Sequence, residues 1–393
     1  TLSANQNNSE AQLFLGLIYY NNKYIKQDIN KAIHYLTLSS NQNNQKAQLM
    51  LSVIYKEDRG IRPNINESIR YLTLSADQNN AENQYKLGCI YYDGNNIPPN
   101  INKSIYYLTL SANQKNAKAQ CKLGIIYYEN KFVPQDIKKS IYYFELSSKQ
   151  NYITAQSFLG IIYYDNQFVP RDINKSIHYF TLAAAQNDVS SQFFLGLIYF
   201  EGIYVPRDIN KSIHYFTLSS NQDEADSQFF LGLIYYEGIY VPRDINKSIH
   251  FFTLSSNHHS PFSQFFLGHI YYENKYIKQD INKSIHYLTL SSNQNFSNAQ
   301  FLLGLIYYES KYFPRDVNKS IYYLTLSANQ NDSSAQYNLS VIYFFDKSAR
   351  NIRQAIKLLK YSAENKNRRA QLFLAHLYFE GQYLEVDITK AIS

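Results

Sequence analysis

The chain has 393 residues, 45% of them hydrophobic and 16% aromatic, which excludes a disordered polypeptide lacking material for a core. Its 9 prolines and 13 glycines are too few for a collagenous or linker-like chain, and two cysteines exclude a disulfide-stapled scaffold and point to a reducing compartment. The net charge of +7 is spread thinly, with no basic run to form the stripe that nucleic-acid binding requires, and no stretch of 18 apolar residues for a membrane helix.

Length alone suggests two or three domains. Self-comparison along the chain replaces that expectation with a repeat. Gln12 is followed at intervals of 36 by Gln48, Gln84, Gln120, Gln156, Gln192, Gln228, Gln264, Gln300 and Gln336. Gln371 comes after 35, a one-residue deletion near 346–350. Three residues after each Gln stands Leu. The fourth is small: Gly in most copies, Ser at Ser52 and Ser340, Ala at Ala375. The seventh is always Tyr. Units therefore start near residues 9, 45, 81, 117, 153, 189, 225, 261, 297, 333 and 368 of a single array over 1–393.

The copy at 225–260 serves as specimen. Leu231, Ile234 and Tyr235 have helical spacing and predict a first helix over about 227–236, closed by Gly238. A loop holding Pro242 follows, and Asp244 is placed to cap a second helix. On that helix Ile245, Ile249, Phe252 and Ser256 predict one buried stripe. Tyr235 and Phe252 are both expected in the core. Gly232, in mid-helix, costs about 1 kcal/mol relative to Ala, so its recurrence predicts a close approach between helices. Two helices cannot bury their stripe alone, and the units must stack.

The pattern Gln-x-x-Leu-Gly-x-Ile-Tyr-Tyr-x-Gly…Val-Pro-x-Asp-x-x-Lys-Ser-Ile-x-x-Phe, carried in the specimen by Gln228 through Phe252, resembles the Sel-1-like repeat, a relative of the tetratricopeptide repeat. The resemblance covers essentially the whole chain. It implies an all-α, right-handed superhelical α/α solenoid of about eleven 36-residue helix-loop-helix repeats, with the first helices on the concave face. Residues 1–6 match the tail of a second helix and 387–393 the start of one, so both ends fall mid-repeat and a longer polypeptide is expected. Similar arrays occur joined to other domains, protein kinase domains among them, and as lumenal quality-control adaptors.

Chemistry is sparse. The closest glycines, such as Gly232 and Gly238, are six apart, which fits neither a dinucleotide fingerprint nor a P-loop. His34, His178, His214, His250 and His286 share one phase of the second helix, but a ladder one repeat apart is too wide for shared metal coordination and is expected to be exposed. His258-His259 sits in a turn, and Cys89 and Cys121 are expected as free thiols. Asn-Lys-Ser at Asn102, Asn174, Asn210, Asn246, Asn282 and Asn318 satisfies the glycosylation sequon but lies in a helix first turn, an expected structural feature. No catalytic, cofactor or metal site is expected.

Two columns invite a partner. One residue after the Gln stand Phe193, Phe229, Phe265 and Phe301, and eight after it Tyr236 and Tyr272. Nine after it an acidic residue recurs, as in Glu201, Glu237 and Glu273, although a carboxylate at a helix C-terminus opposes the macrodipole. One reading is an aromatic groove with an acidic rim for a basic peptide. The other pairs the carboxylates with loop cations such as Arg243 or Lys275 and packs the aromatics between units. The expectation is a non-enzymatic scaffold for a protein or peptide partner, in the cytoplasm, with a signalling-enzyme regulatory region and a lumenal adaptor as alternatives.

Overall fold

Most repeats open on a turn built from asparagine, with Lys115, Asp223, His259 and Lys366 in the same place in the others. Asn7, Asn43, Asn79, Asn151, Asn187, Asn295 and Asn331 all adopt positive φ, between 59° and 72°. Asparagine visits this left-handed region more readily than other side chains do, because its short amide bonds locally. The next residue caps the first helix: Asn8, Asn44, Asn80 and Asn116 accept from the backbone N–H three residues on. At 225–260, Glu224 is the cap of Ala225–Glu237, and Gly238, at φ 63°, ends it. Asp244 then accepts from the Lys247 N–H and opens Ile245–Asn257.

The computed structural model describes residues 2–21, 25–57, 61–94, 97–309 and 314–392, in which all 23 regular elements are α-helices. They gather into two compact units, Thr1–Ser191 and Gln192–Ser393, with the repeat pattern running through both. In the first unit the first helices are Ser9–Tyr20, Gln45–Lys56, Ala81–Asp93, Ala117–Tyr128 and Ile153–Tyr164. They alternate with second helices Ile29–Ser40, Ile65–Ala76, Ile101–Asn113, Ile137–Ser148 and Ile173–Ala184. Val189–Glu201 contains the boundary. In the second unit, second helices Ile209–Ser220, Ile245–Asn257, Ile281–Asn293, Val317–Ala328 and Ile352–Glu364 alternate with Ala225–Glu237, Pro261–Tyr272, Ser297–Tyr308, Ser333–Phe345 and Arg368–Glu380. Leu2–Asn5 and Ile388–Ile392 stand at the ends. Within each unit a second helix packs on the first helix of its own repeat and on that of the next.

Gly232 carries the intrarepeat contact. A Cβ there would lie 2.6 Å from the Phe252 ring, so the ring rests directly on the helix backbone. In other copies a leucine does the same, Leu36 on Gly16 and Leu288 on Gly268. In several repeats a serine one turn earlier on the second helix completes the joint, whereas the buried hydroxyls of Ser104 and Ser248 have no hydrogen-bond partner among the described residues. Ser212 donates to the Gly196 carbonyl at 2.9 Å, Ser284 to Gly268 and Ser320 to Gly304 at 2.8 Å. These are the serines of the Asn-Lys-Ser triplets, fully buried while the asparagines face solvent. The predicted stripe is corrected accordingly: Ser248, Phe252, Ser255 and Ser256 are buried, whereas Ile245 and Ile249 are only half-buried. Small hydroxyls let the helices close to backbone distance, which branched side chains would prevent.

The recurring Gln joins one repeat to the next. Gln84 donates to the Ala76 carbonyl of the preceding repeat at 3.1 Å, and its side-chain carbonyl accepts from Gln114 at 2.7 Å. The same acceptor–donor pair recurs at Gln48 with Gln78, Gln120 with Gln150 and Gln156 with Gln186, and in the second unit at Gln264 with Gln294 and Gln300 with Gln330. At 225–260 the donor position holds His258 instead, and the Gln228 Oε1 is buried without a hydrogen-bond partner among the described residues.

Two outcomes are expected. His258→Gln should restore the missing donor and stabilise the chain by about 1 kcal/mol, read as a higher urea midpoint; an unchanged or lower midpoint would refute the ladder's role. Gly232→Ala should destabilise by about 1 kcal/mol net, because overpacking against the buried Phe252 outweighs the gain in helix propensity.

Candidate functional site

The faces open to a partner are best read from what each column of side chains already touches. Seven residues after the Gln, the tyrosines do not enter the core as expected: all but the buried Tyr163 of those from Tyr19 to Tyr343 are half-buried. Tyr235 stacks on Phe251 with ring centroids 6.0 Å apart and 7° between planes, and Tyr271 stacks on Tyr287 at 6.1 Å. A lysine covers the outer edge, Lys247 over Tyr235 at 4.9 Å and Lys283 over Tyr271 at 5.1 Å. The cation holds the ring by its π face and also lies 3.7 Å from the capping Asp244. Desolvation raises the hydroxyls of Tyr287 and Tyr323 above the usual phenol range. This column is a lateral joint between the two helices of a repeat, half-open and covered by the lysine.

The candidate anchors take part in packing between neighbouring repeats. Phe193 lies 6.0 Å from Phe216 and 6.2 Å from Phe230; Phe229 contacts Phe252, Phe262 and Phe266; Phe265 contacts Phe296 at 5.5 Å. Phe301 packs against the cluster around Leu324 and Leu339. Tyr236 meets Phe266 edge-on at 5.5 Å, and its hydroxyl lies 3.3 Å from His269 Nδ1. All of them keep part of their surface open, and Phe262, beside Phe229, is 52% exposed.

The acidic column has a partner that the spacing did not suggest. The tyrosine eight residues after one Gln donates to the carboxylate nine after the next: Tyr20 to Glu57 at 3.1 Å, Tyr272 to Glu309 at 3.0 Å, and Tyr92 to Glu129. A separation of 37 residues, one repeat plus one, is the signal in the sequence. Tyr92 is pushed above the phenol range by burial and by Glu129. Glu273 sits 3.7 Å from His269, which also faces Tyr236. Glu237 is different, because Phe200 stands where the donor would be. Its carboxylate has no hydrogen-bond or ion-pair partner among the described residues.

Among the described residues, Arg243 and Lys275 do not form ion pairs with this column, as one reading proposed. Arg243 donates to the carbonyls of Tyr236 and Glu237 at 2.8 Å, closing the first helix, and to the Tyr276 hydroxyl of the next loop at 2.6 Å. Lys275 lies over the Tyr276 ring. Arg207 makes the same clasp on Tyr240, and Arg315 reaches the buried Asp346.

Among the described residues no three His, Cys, Asp or Glu side chains gather as a metal set. His34, His178, His214, His250 and His286 are exposed, each of them placed edge-on to the aromatic residue after it. Cys121 is buried and free, and desolvation pushes its thiol up to about 12; Cys89 is also free and raised by burial. No described helix is long and apolar enough to cross a membrane.

Paired helices stacked through buried ladders, with side-chain columns repeating along their faces, define an α/α repeat protein. A model of the Sel1 repeat matches eleven consecutive segments, from residues 9–44 through 225–260 to 333–367 and 368–393, and the chain belongs to the Sel1 repeat family. Proteins of this family are generally protein-interaction scaffolds, and the fold is typically non-catalytic. The structure is similar to that of a protective antigen with an SLR fold, present in uropathogenic Escherichia coli strains. That match has 23% identity and a TM-score of 0.84, and covers 99% of this chain and 84% of that one. It is also similar to a Sel1 repeat protein from Oxalobacter formigenes, at 25% identity and a TM-score of 0.64 over 85% and 94% of the two chains. No curated protein matched the sequence.

The tyrosine–carboxylate bridge is testable by a double-mutant cycle. Tyr92→Phe and Glu129→Gln should couple by about 1 kcal/mol, the value of a hydrogen bond to a partly exposed charge; additive effects on the urea midpoint would show that the bridge contributes nothing.

Proposed function

We propose that the chain is a non-enzymatic scaffold that holds a basic, partly apolar peptide segment against its first helices between residues 193 and 309. The observation that carries this reading is Glu237. Its half-buried carboxylate lacks the tyrosine donor that its counterparts Glu57, Glu129 and Glu309 possess, and it stands beside half-open aromatic side chains. A cation supplied from outside would satisfy it. Phe193, Phe229, Phe265 and Phe301 offer apolar edges, Tyr236 and Tyr272 add rings with hydroxyls, and Glu201 and Glu273 extend the acidic rim.

The packing supports this choice of face. First helices of consecutive repeats approach one another directly, Ala225–Glu237 with Pro261–Tyr272 and the latter with Ser297–Tyr308. Side chains from successive repeats are thereby brought within reach of one extended ligand. The same reading puts the chain in the cytoplasm, where two unpaired thiols remain reduced.

Charge reversal of Glu201, Glu237 and Glu273 to lysine tests it. The triple variant should keep the helical circular dichroism of the parent and lose partners retained by the immobilised parent chain; undiminished recovery of those partners would sink the proposal.

A further inference from the structure

In several repeats a wedge of three aromatic rings closes the seam between neighbouring first helices. Phe230 stacks on Phe216 at 5.1 Å and meets Phe200 edge-on at 5.4 Å; Phe266 does the same with Phe252 and Tyr236. In the first unit Phe158 repeats the arrangement on Phe144 and Tyr128. Other seams, as at Tyr20, Tyr92, Tyr272 and Tyr308, keep the ring eight residues after the Gln and carry Met50, Lys122, Leu302 or Asn338 at the other outer position; one seam keeps neither ring. Between the repeats 45–80 and 81–116 the three equivalent positions are Lys86, Leu72 and Lys56. Both outer rings of the wedge are replaced by lysines, and a cavity of about 510 Å³ opens there.

The chemistry of that cavity is specific. Its apolar floor includes Leu49, Val53, Leu72 and Ile90, and Lys56 and Lys86 stand exposed at its edge. Neither lysine has an ion-pair partner among the described residues. Lys122, the third lysine of the lining, is held 3.6 Å from Asp93 and 3.9 Å above the Tyr92 ring, so the one acidic group of the lining is already paired. The nearby Glu57 accepts from Tyr20 and is not part of the lining. Two cations without an ion pair among the described residues therefore flank an apolar hollow in the size range of ligand sites.

We infer that this seam is a binding site for an acidic peptide segment, one apolar side chain seated between Leu72 and Ile90 with flanking carboxylates on Lys56 and Lys86. Charge complementarity fixes the class of occupant: charge-assisted hydrogen bonds need an anion, and the hollow needs an apolar body attached to it. The site is separate from the acidic-rimmed face at residues 193–309 and opposite to it in preference, so the chain presents two docking surfaces of contrary sign.

Fluorescence anisotropy of the intact 393-residue chain with a labelled Glu-Leu-Glu-Leu-Glu peptide tests this. Saturable, salt-sensitive binding is expected, and a Lys-Leu-Lys-Leu-Lys peptide should not compete. Lys56→Gln with Lys86→Gln should weaken binding by about tenfold, from the loss of two surface charge contacts. Lys56→Tyr with Lys86→Phe should abolish it by restoring the wedge, with a melting temperature equal to or above the parent's. Charge reversal at Glu201, Glu237 and Glu273 should leave the affinity unchanged, which separates this site from the other face. Absent binding by the parent, unchanged affinity in the glutamine variant, retained binding in the refilled variant, or complete displacement by millimolar inorganic phosphate would each overturn the inference, the last by making the site one for free anions.

Discussion

The buried glutamine is the constraint on which the rest of the array depends. A polar side chain inside an interface is costly unless its amide and its carbonyl are both satisfied. Gln84 meets both demands in opposite directions, donating to Ala76 behind it and accepting from Gln114 in the turn ahead. That double requirement fixes the rotation and the register of each first helix against its neighbours. With the helix so fixed, the glycine four residues on faces the second helix, and the ring or leucine that lands there has a defined seat. A hydrophobic stripe alone would tolerate sliding by a turn; the amide does not.

Much of this was legible from spacing. The period located every first helix, Gly238 and Asp244 marked the end of one helix and the start of the next, and the glycine announced a close contact. What escaped was chemistry rather than position. Ser248 reads as a polar surface residue within a sequon, yet it is fully buried; its equivalents Ser212 and Ser284 are occupied by glycine carbonyls, a partner no linear pattern reveals. Tyr235 reads as core because it never varies, yet its constancy reflects a half-open stack under a lysine. Invariance across repeats showed that a contact exists without showing how deep it lies. The asparagine-rich turns, which composition would ascribe to coding bias, hold the left-handed residue and the helix cap side by side.

The candidate face was legible in outline only. Phe229 and Tyr236 stand in the predicted columns, but those columns are also the seams between repeats, so packing and recognition draw on the same rings. Individual departures from the pattern are more informative than the pattern. Phe200 leaves Glu237 without its donor, His258 leaves Gln228 without its own, and Lys56 with Lys86 leaves a seam unfilled. In an array of near-copies such exceptions distinguish one repeat from another, and selectivity for a partner has to be built from them.

The glutamine ladder has a consequence for how such a chain changes length. In the 36-residue repeats the rungs join residues 8 or 30 apart, so no repeat depends on one further away than its neighbour. Copying or excising one whole repeat therefore leaves no amide orphaned at the new junction. The 35-residue repeat keeps to the same rule. Its missing residue falls in the loop, and Asn365 still reaches Gln336, and Ser362 still reaches Ser333, across 29 positions. The fold polices the phase of the array and is indifferent to its number of copies, which makes slippage during replication a neutral event for folding and leaves the reach of the scaffold open to selection.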